Sequence, residues 1–162
     1  MGASMNRVAW LLALGIVAHG LAGLSPCLAQ APTLAIGGAG GDTAGITWKL
    51  FDPEHLRTSY EATAGWTIRD ENAFEFRWMC QRTLHEFRSV KGPRLQVYAG
   101  AGLRVKLERD TRYGLRGALG VTFLPIEREI TPEIFLEAAP TRDISPEHRS
   151  TMGLATGVRW RL

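Results

Sequence analysis

The sequence predicts an all-β protein, namely an eight-stranded antiparallel up-and-down transmembrane β-barrel. Apolar and polar residues alternate in segment after segment beyond residue 32, which is the two-residue period of a strand with two different faces. Residues typical of turns separate these segments at short intervals. The chain of 162 residues also contains 18 glycines, a composition that favours turns and crowded strands over helices.

The first 29 residues are predicted to be a cleaved signal peptide. Arg7 gives a positive start, VAWLLALGIVAHGLAGL follows as the apolar core, and small residues Cys27 and Ala29 precede the cleavage site. A membrane anchor is one alternative, although the apolar stretch is short for a spanning helix. A lipoprotein is another, although Pro26 stands where a small residue is expected before Cys27. Residues 30–162 then form the mature barrel domain.

Eight segments alternate, and we interpret each as one strand. The first four are TLAIGG, GITWKLF, TSYEATAGWTI and AFEFRWMCQ, and the last four are LQVYAGAGLRVKL, YGLRGALGVTF, EIFLEAA and TMGLATGVRWRL. The predicted turns and loops between them are GGAGGDTAG, FDPEH, RDEN, ERDTR, LPIEREITP and TRDISPEHRS. The longest predicted connection is residues 82–94. The glycine-rich GGAGGDTAG precedes a strand rather than a helix, which favours a flexible tight connection over a phosphate-binding loop.

Side-chain volume indicates which face of the barrel is outside. An eight-stranded barrel has an interior that side chains just fill, and the apolar face carries too many aromatic rings for that space. The polar face carries many glycines, which leave room for long charged side chains. We therefore predict an outward apolar face in contact with lipid. Its membrane-interface aromatics are predicted to be Tyr60, Trp78, Phe123 and Trp160 near the periplasmic rim, and Trp66, Phe74 and Tyr113 near the outer rim.

The charged residues of the polar face are predicted to fill the lumen as an ionic network: Lys49, Glu61, Glu75, Arg77, Arg104, Lys106, Arg116, Glu133, Glu137, Arg159 and Arg161. Tyr98 and Phe135 share this face, and we interpret them as lumen filler. Buried charges must be paired or hydrated, so we expect Arg116 and Arg104 to hold Glu137, and Glu75 to pair with Arg77. The main interpretation is an ionic plug; a narrow ion path that favours anions is the alternative.

The final strand places Val158, Trp160 and Leu162 on one apolar line. It resembles the C-terminal strand by which bacterial outer-membrane barrels are recognised for insertion, with Leu where Phe or Trp is usual. The stretches GAGLRVKLERDTRYGLRGALGVTF (100–123) and PEIFLEAAP (132–140) are similar to a family of short bacterial outer-membrane barrels. More broadly, the mature chain resembles the OmpA membrane domain and OmpX. The resemblance implies an outer-membrane location, with lipid and the barrel-assembly machinery as partners, and implies no activity.

Two function classes other than a membrane barrel receive little support from the residues. A net charge of +3 without a basic run does not suggest nucleic-acid binding. His55 and His85 lack the spacing of metal ligands, so we expect no metal and no cofactor.

A lipid A deacylase of this architecture would need a His and a Ser two residues apart on a strand, with a carboxylate to orient the His. His148 and Ser150 have this spacing but fall in a predicted loop. We therefore expect no enzymatic activity.

Two further hypotheses concern binding. The 82–94 turn is expected to face the periplasm, where Leu84, His85, Phe87 and Lys91 would contact a periplasmic protein. A soluble periplasmic barrel of lipocalin type, with a small apolar ligand, is the main alternative to the membrane barrel. It would require the aromatic line to face inward.

Overall fold

The computed structural model describes residues 33–55, 57–68, 73–88, 92–108, 111–125, 130–145 and 148–162. These residues form eight antiparallel strands that close into a barrel, which confirms the predicted up-and-down fold. The predicted signal peptide, including Cys27, lies outside the described residues. The strands are β1 (Thr33–Gly41), β2 (Thr43–Phe51), β3 (Thr58–Thr67), β4 (Phe74–Arg88), β5 (Arg94–Leu107), β6 (Arg112–Leu124), β7 (Thr131–Ser145) and β8 (Ser150–Arg161).

Each strand pairs with the next one in the chain, and β1 pairs with β8 to close the barrel. Followed from Ala35 through the pairings to Thr151 of β8, and then along the extended β8–β1 register, one circuit of the barrel displaces the position in the chain by ten residues. A stagger of this size corresponds to a strand tilt of about 40°, as closed barrels require. We call the end at which β1 begins and β8 ends the terminal end, and the opposite end the distal end.

Side chains alternate between the lumen and the outer wall because successive residues of a strand point to opposite faces. In β6, every second residue from Gly114 to Leu124 is buried, and the residues between them are exposed or half-buried. The first part of β7 follows the same pattern from Thr131 to Asp143. The polar line of the sequence therefore faces the lumen and the apolar line faces outward, as the volume argument predicts.

The predicted 82–94 connection is wrong, because most of it is strand. β4 continues to Arg88, and His85 and Phe87 pair with Val97 and Leu95 of β5 beyond a bulge that follows Thr83. The extra residue in the bulge shifts the two-residue alternation by one position. For this reason the sequence pattern of residues 84–88 does not continue the alternation of the first part of β4. The pair extends past β3 at the terminal end, and we call it the hairpin extension (84–88 with 94–97).

The predicted loop TRDISPEHRS is also wrong in its first half. β7 passes through Pro140 and continues to Ser145, so the connection to β8 is confined to residues 146–149. Pro140 has no backbone N–H to donate, and the pairing of β7 with β6 skips from Ala138 to Thr141. The strand continues because Pro140 still pairs with Met152 of β8.

The predicted tight connection GGAGGDTAG is mostly strand, and the turn within it is confined to Asp42. β1 ends at Gly41 and β2 begins at Thr43, with only Asp42 between them. Gly41 has a φ of 125°, which residues with a side chain rarely adopt. The Asp42 carboxylate accepts a hydrogen bond from the backbone N–H of Leu154 at 2.9 Å, which fixes the turn to β8.

The lumen as candidate functional site

The charged residues predicted for the lumen all lie on the inner face of the barrel. Arg104 and Arg161 are half-buried, with side chains that are 14% and 26% exposed. The other nine are almost fully buried: Lys49, Glu61, Glu75, Arg77, Lys106, Arg116, Glu133, Glu137 and Arg159. They form three groups along the barrel axis.

The terminal cluster is built on two buried carboxylates. Glu133 lies 3.5 Å from Lys49, 3.6 Å from Arg159 and 3.2 Å from Arg161. Glu61 accepts hydrogen bonds from Arg159 at 2.6 Å and from the side-chain amide of Gln81. Arg159 is fully buried, and only contact with carboxylates makes such burial of a guanidinium tolerable.

Aromatic rings complete the terminal cluster. The Arg159 guanidinium lies 4.0 Å from the ring centre of Phe135, and the Arg161 guanidinium lies 4.0 Å from that of Phe51. A cation over the face of a ring is attracted by the electron density of that face. Phe135, which is predicted to fill the lumen, therefore also stabilises the positive charge of Arg159.

The central cluster is held by Glu137. Its two carboxylate oxygens accept hydrogen bonds from Arg116 and from the Tyr98 hydroxyl, each at 3.1 Å. A second nitrogen of Arg116 donates to the Thr141 hydroxyl at 3.4 Å. The predicted pair of Glu137 with Arg116 is present, whereas the predicted contact of Glu137 with Arg104 is replaced by contacts in the next cluster.

The distal cluster is a chain of alternating charges. Glu75 lies 3.1 Å from Arg77 and 2.8 Å from Arg104, and Arg104 also lies 3.1 Å from Asp143. Arg77 and Arg104 are directly opposite each other on β4 and β5, where two like charges would repel. The Glu75 carboxylate bridges them and reduces that repulsion. Lys106 lies 3.7 Å from Glu108 at the mouth of the lumen.

The sequence does not predict two features of the lumen, namely the position of Asp143 and the partner of Gln81. Asp143 lies beyond Pro140, in a segment whose composition resembles a turn, so it was assigned to a loop. The alternation of Thr141, Arg142 and Asp143 was the signal that would have placed it inside. Gln81 lies on the polar line of β4, but nothing in the sequence indicates that it binds Glu61.

The aromatics predicted for the membrane interfaces all lie on the outer wall. Trp66, Phe74 and Tyr113 stand within two residues of strand ends at the distal end. Tyr60, Phe123 and Trp160 lie within three residues of strand ends at the terminal end. Trp78 stacks on Tyr60 at 6.3 Å between ring centres, but β4 continues for ten residues beyond it. In the closing strand, Val158 and Trp160 pair with Gly38 and Ile36 of β1, and the Leu162 N–H donates to the backbone oxygen of Leu34.

The remaining candidate residues lie on the surface. His148 and Ser150 are exposed, and Ser150 begins β8 opposite Arg142. His55 lies in the β2–β3 connection, where its backbone N–H and that of Glu54 donate to Asp52. These hydrogen bonds, above all the one from His55, lower the pKa of the Asp52 carboxyl.

In the described part of the chain, no group of three or more His, Cys, Asp or Glu side chains is arranged to hold a metal ion. No helix among the described residues is long and apolar enough to span a membrane, a finding that does not bear on crossing by strands. No protein-family model, no curated protein and no solved structure matches this chain.

Proposed function

We propose that this chain is a non-enzymatic β-barrel of the bacterial outer membrane, with a structural or interaction role and a lumen closed by ion pairs. The observation that carries the proposal is the inverted distribution of polarity. Arg159 and Glu133 are fully buried, whereas Trp66 and Leu154 on the outer wall are more than 60% exposed. Soluble monomers rarely expose extended apolar surface. In lipid, an outward apolar band is the favourable arrangement.

The position of the aromatic residues supports the same proposal. Trp66 and Phe74 form an edge-to-face pair at the distal end, with ring centres 5.4 Å apart, while Trp160 stands at the terminal end. Aromatic residues at both rims are typical of proteins that cross a membrane, because these rings prefer the interface between lipid and water. Outer-membrane lipid and, during insertion, the barrel-assembly machinery are the partners that we propose.

Membrane fractionation combined with gel migration tests the location. We expect the expressed protein in the outer-membrane fraction, and an unboiled form that migrates faster than the boiled form. Recovery from the soluble periplasm would contradict the proposal and favour the lipocalin-like alternative. Unchanged lipid A mass spectra on deletion and overexpression are expected for a protein without lipid A-modifying activity.

A pair of substitutions sharpens this test, because the effect of a charge on a lipid-facing wall depends on depth. Leu136 is exposed on the outer wall in the middle of β7, and Ile144 is exposed on the same wall one residue before its distal end. Leu136→Arg is expected to destabilise the barrel by about 2–4 kcal/mol, and Ile144→Arg by about 0–1 kcal/mol. Equal tolerance of both substitutions would indicate that water, not lipid, contacts this wall.

The hairpin extension is the surface that we propose for a periplasmic protein. Leu84 and Phe87 are 53% and 55% exposed there, and the Phe87 ring packs against His85 at 4.4 Å. Beyond Thr83, β4 has no pairing strand on its β3 side in the described part of the chain. Such an edge is a template for an added strand. The fourth predicted contact residue, Lys91, lies outside the described residues.

Affinity purification with a variant of the hairpin extension tests this interaction. Serine at positions 84, 85, 87 and 91 is expected to remove a periplasmic protein that co-purifies with the wild type. Ile144→Ser, at the opposite end of the barrel, is the control and is expected to retain it. An unchanged set of co-purified proteins in the fourfold variant would contradict the interaction.

A further inference from the structure

The lumen contains a cavity at its distal end that the ion pairs do not fill. Its volume is about 140 Å³, and five cationic side chains line it: Arg104, Lys106, Arg112, Arg116 and Arg149. Arg116 and Lys106 are almost fully buried, and Arg112 and Arg149 stand nearer the mouth. Cationic side chains therefore outnumber acidic ones in the cavity lining, and Glu108 lies beside Lys106 and Arg112 near the mouth.

The three acidic side chains in the cavity wall already have partners. Glu75 accepts hydrogen bonds from Arg104 and lies 3.1 Å from Arg77, and Asp143 accepts one from Arg104 at 3.1 Å. Asp42 accepts the backbone N–H of Leu154. A cation that entered the cavity would compete with these donors for the same oxygens.

Some buried guanidinium nitrogens, by contrast, have no hydrogen-bond acceptor among the described residues. The Arg116 side chain is only 4% exposed and lines the cavity. Its terminal nitrogens donate to Glu137 and Thr141, but its Nε has no hydrogen-bond partner in the described part of the chain. The Nη2 atom of the neighbouring buried Arg77 is in the same state. Buried donors without an acceptor are unfavourable. A negatively charged hydrogen-bond acceptor would therefore be favourable in this region.

We propose that the distal cavity binds a small oxyanion of the phosphate class. Guanidinium groups bind phosphate oxygens, and the Arg104 and Arg116 side chains that line the cavity are the groups that we expect to bind the anion. Arg112 and Arg149 at the rim attract an anion toward the mouth by their charge. The inference rests on the lumen geometry alone and does not require a particular membrane.

Calorimetric titration of the folded mature protein in detergent with inorganic phosphate, at low ionic strength, tests the proposal. We expect saturable binding at one site by the wild type. Removal of a charged hydrogen-bond donor, in Arg116→Gln, is expected to weaken binding about tenfold or more. The double rim variant Arg112→Gln and Arg149→Gln is expected to weaken it as well, and it remains informative if Arg116→Gln fails to fold.

Arg142→Gln is the matched control. Arg142 follows Thr141 of the cavity wall in sequence and carries the same charge, but its side chain is exposed on the outer face of β7. Its removal is expected to leave phosphate affinity unchanged. Absence of binding by the wild type would overturn the proposal. So would an equal loss in Arg142→Gln, which would indicate attraction by net charge rather than a site.

Discussion

At the scale of single residues, two glycines allow aromatic rings to enter a narrow lumen. Tyr98 is directly opposite Gly120, and Phe135 is directly opposite Gly157. A Cβ atom on Gly157 would lie 2.6 Å from the Phe135 ring, which is closer than packing permits. Each ring therefore occupies the volume that its glycine partner leaves free, as when an aromatic residue covers a glycine across a pair of strands.

This arrangement predicts that Gly157→Ala destabilises the barrel. The added methyl group would lie 2.2 Å from the backbone oxygen of Gly38 as well as against Phe135, and overpacking of this kind costs about 1–3 kcal/mol. Gly40→Ala is the control, since a Cβ atom there meets nothing within 4 Å. Urea unfolding of both variants in lipid vesicles measures the difference. Equal midpoints would mean that the backbone adjusts freely at Gly157.

A second residue-scale prediction concerns the carboxylate of the terminal cluster. Glu133→Gln leaves Lys49, Arg159 and Arg161 around a neutral amide. Breaking a buried ion pair from one side costs about 3–5 kcal/mol. Glu86→Gln is the control, because Glu86 contacts Arg94 at 3.9 Å on the surface and an exposed pair contributes at most about 1 kcal/mol. Comparable unfolding free energies for the two variants would contradict the cluster's structural role.

Which charged residues face the lumen could largely be predicted from the sequence, but which of them form ion pairs with one another could not. Alternation placed Glu75, Arg104 and Glu137 inside because the strand period is two. Which carboxylate meets which cation depends on register and stagger, quantities that no local pattern contains. Arg104 on β5 therefore reaches Asp143 on β7 rather than Glu137.

At the scale of elements, the number and order of the strands follow from alternation, whereas several strand ends do not. The bulge after Thr83 breaks the period of β4 without ending it, and Pro140 interrupts one side of β7 while pairing with β8 continues on the other. Both features obscure the sequence pattern that is typical of a strand. The neighbouring strands nevertheless still pair with these segments and keep them extended. Tertiary pairing therefore overrides the turn-like composition.

The closing strand carries the element-scale prediction. If β8 is the insertion signal, Trp160→Ser should slow assembly into the outer membrane, and Leu162→Phe, which restores the usual last residue, should accelerate it. Met152→Ser removes a more exposed apolar residue from the same face at the other end of β8, 66% exposed against 48% for Trp160, and serves as the control. Pulse-chase appearance of the heat-modifiable form measures the rates. Equal slowing in Met152→Ser would show that apolarity alone matters.

At the scale of the whole molecule, the barrel exchanges the usual positions of its polar and apolar residues. The outer wall presents the apolar side chains, and the three ionic clusters replace a hydrophobic core. Among the described residues, closure gives each strand two neighbours, so apart from the interruption at Pro140 the backbone groups of the barrel body are paired between strands. A hydrocarbon environment would require such pairing. The lumen side chains pair mainly with one another, and aromatic rings pack between them in the terminal and central clusters.

That packing predicts a lumen that does not conduct in the wild type. Tyr98 and Phe135 are each only 2% exposed, and they lie in the lumen at the central and terminal clusters, respectively. Replacing both by Ala should raise single-channel conductance in planar bilayers several-fold. The current should favour anions, because the predicted lumen charges comprise seven cations and four anions and Asp143 adds a fifth anion. The control variant Tyr113→Ala with Phe123→Ala removes the same ring types from the outer wall. It should show no channel current. Large steady openings of the wild type would instead support the narrow ion path.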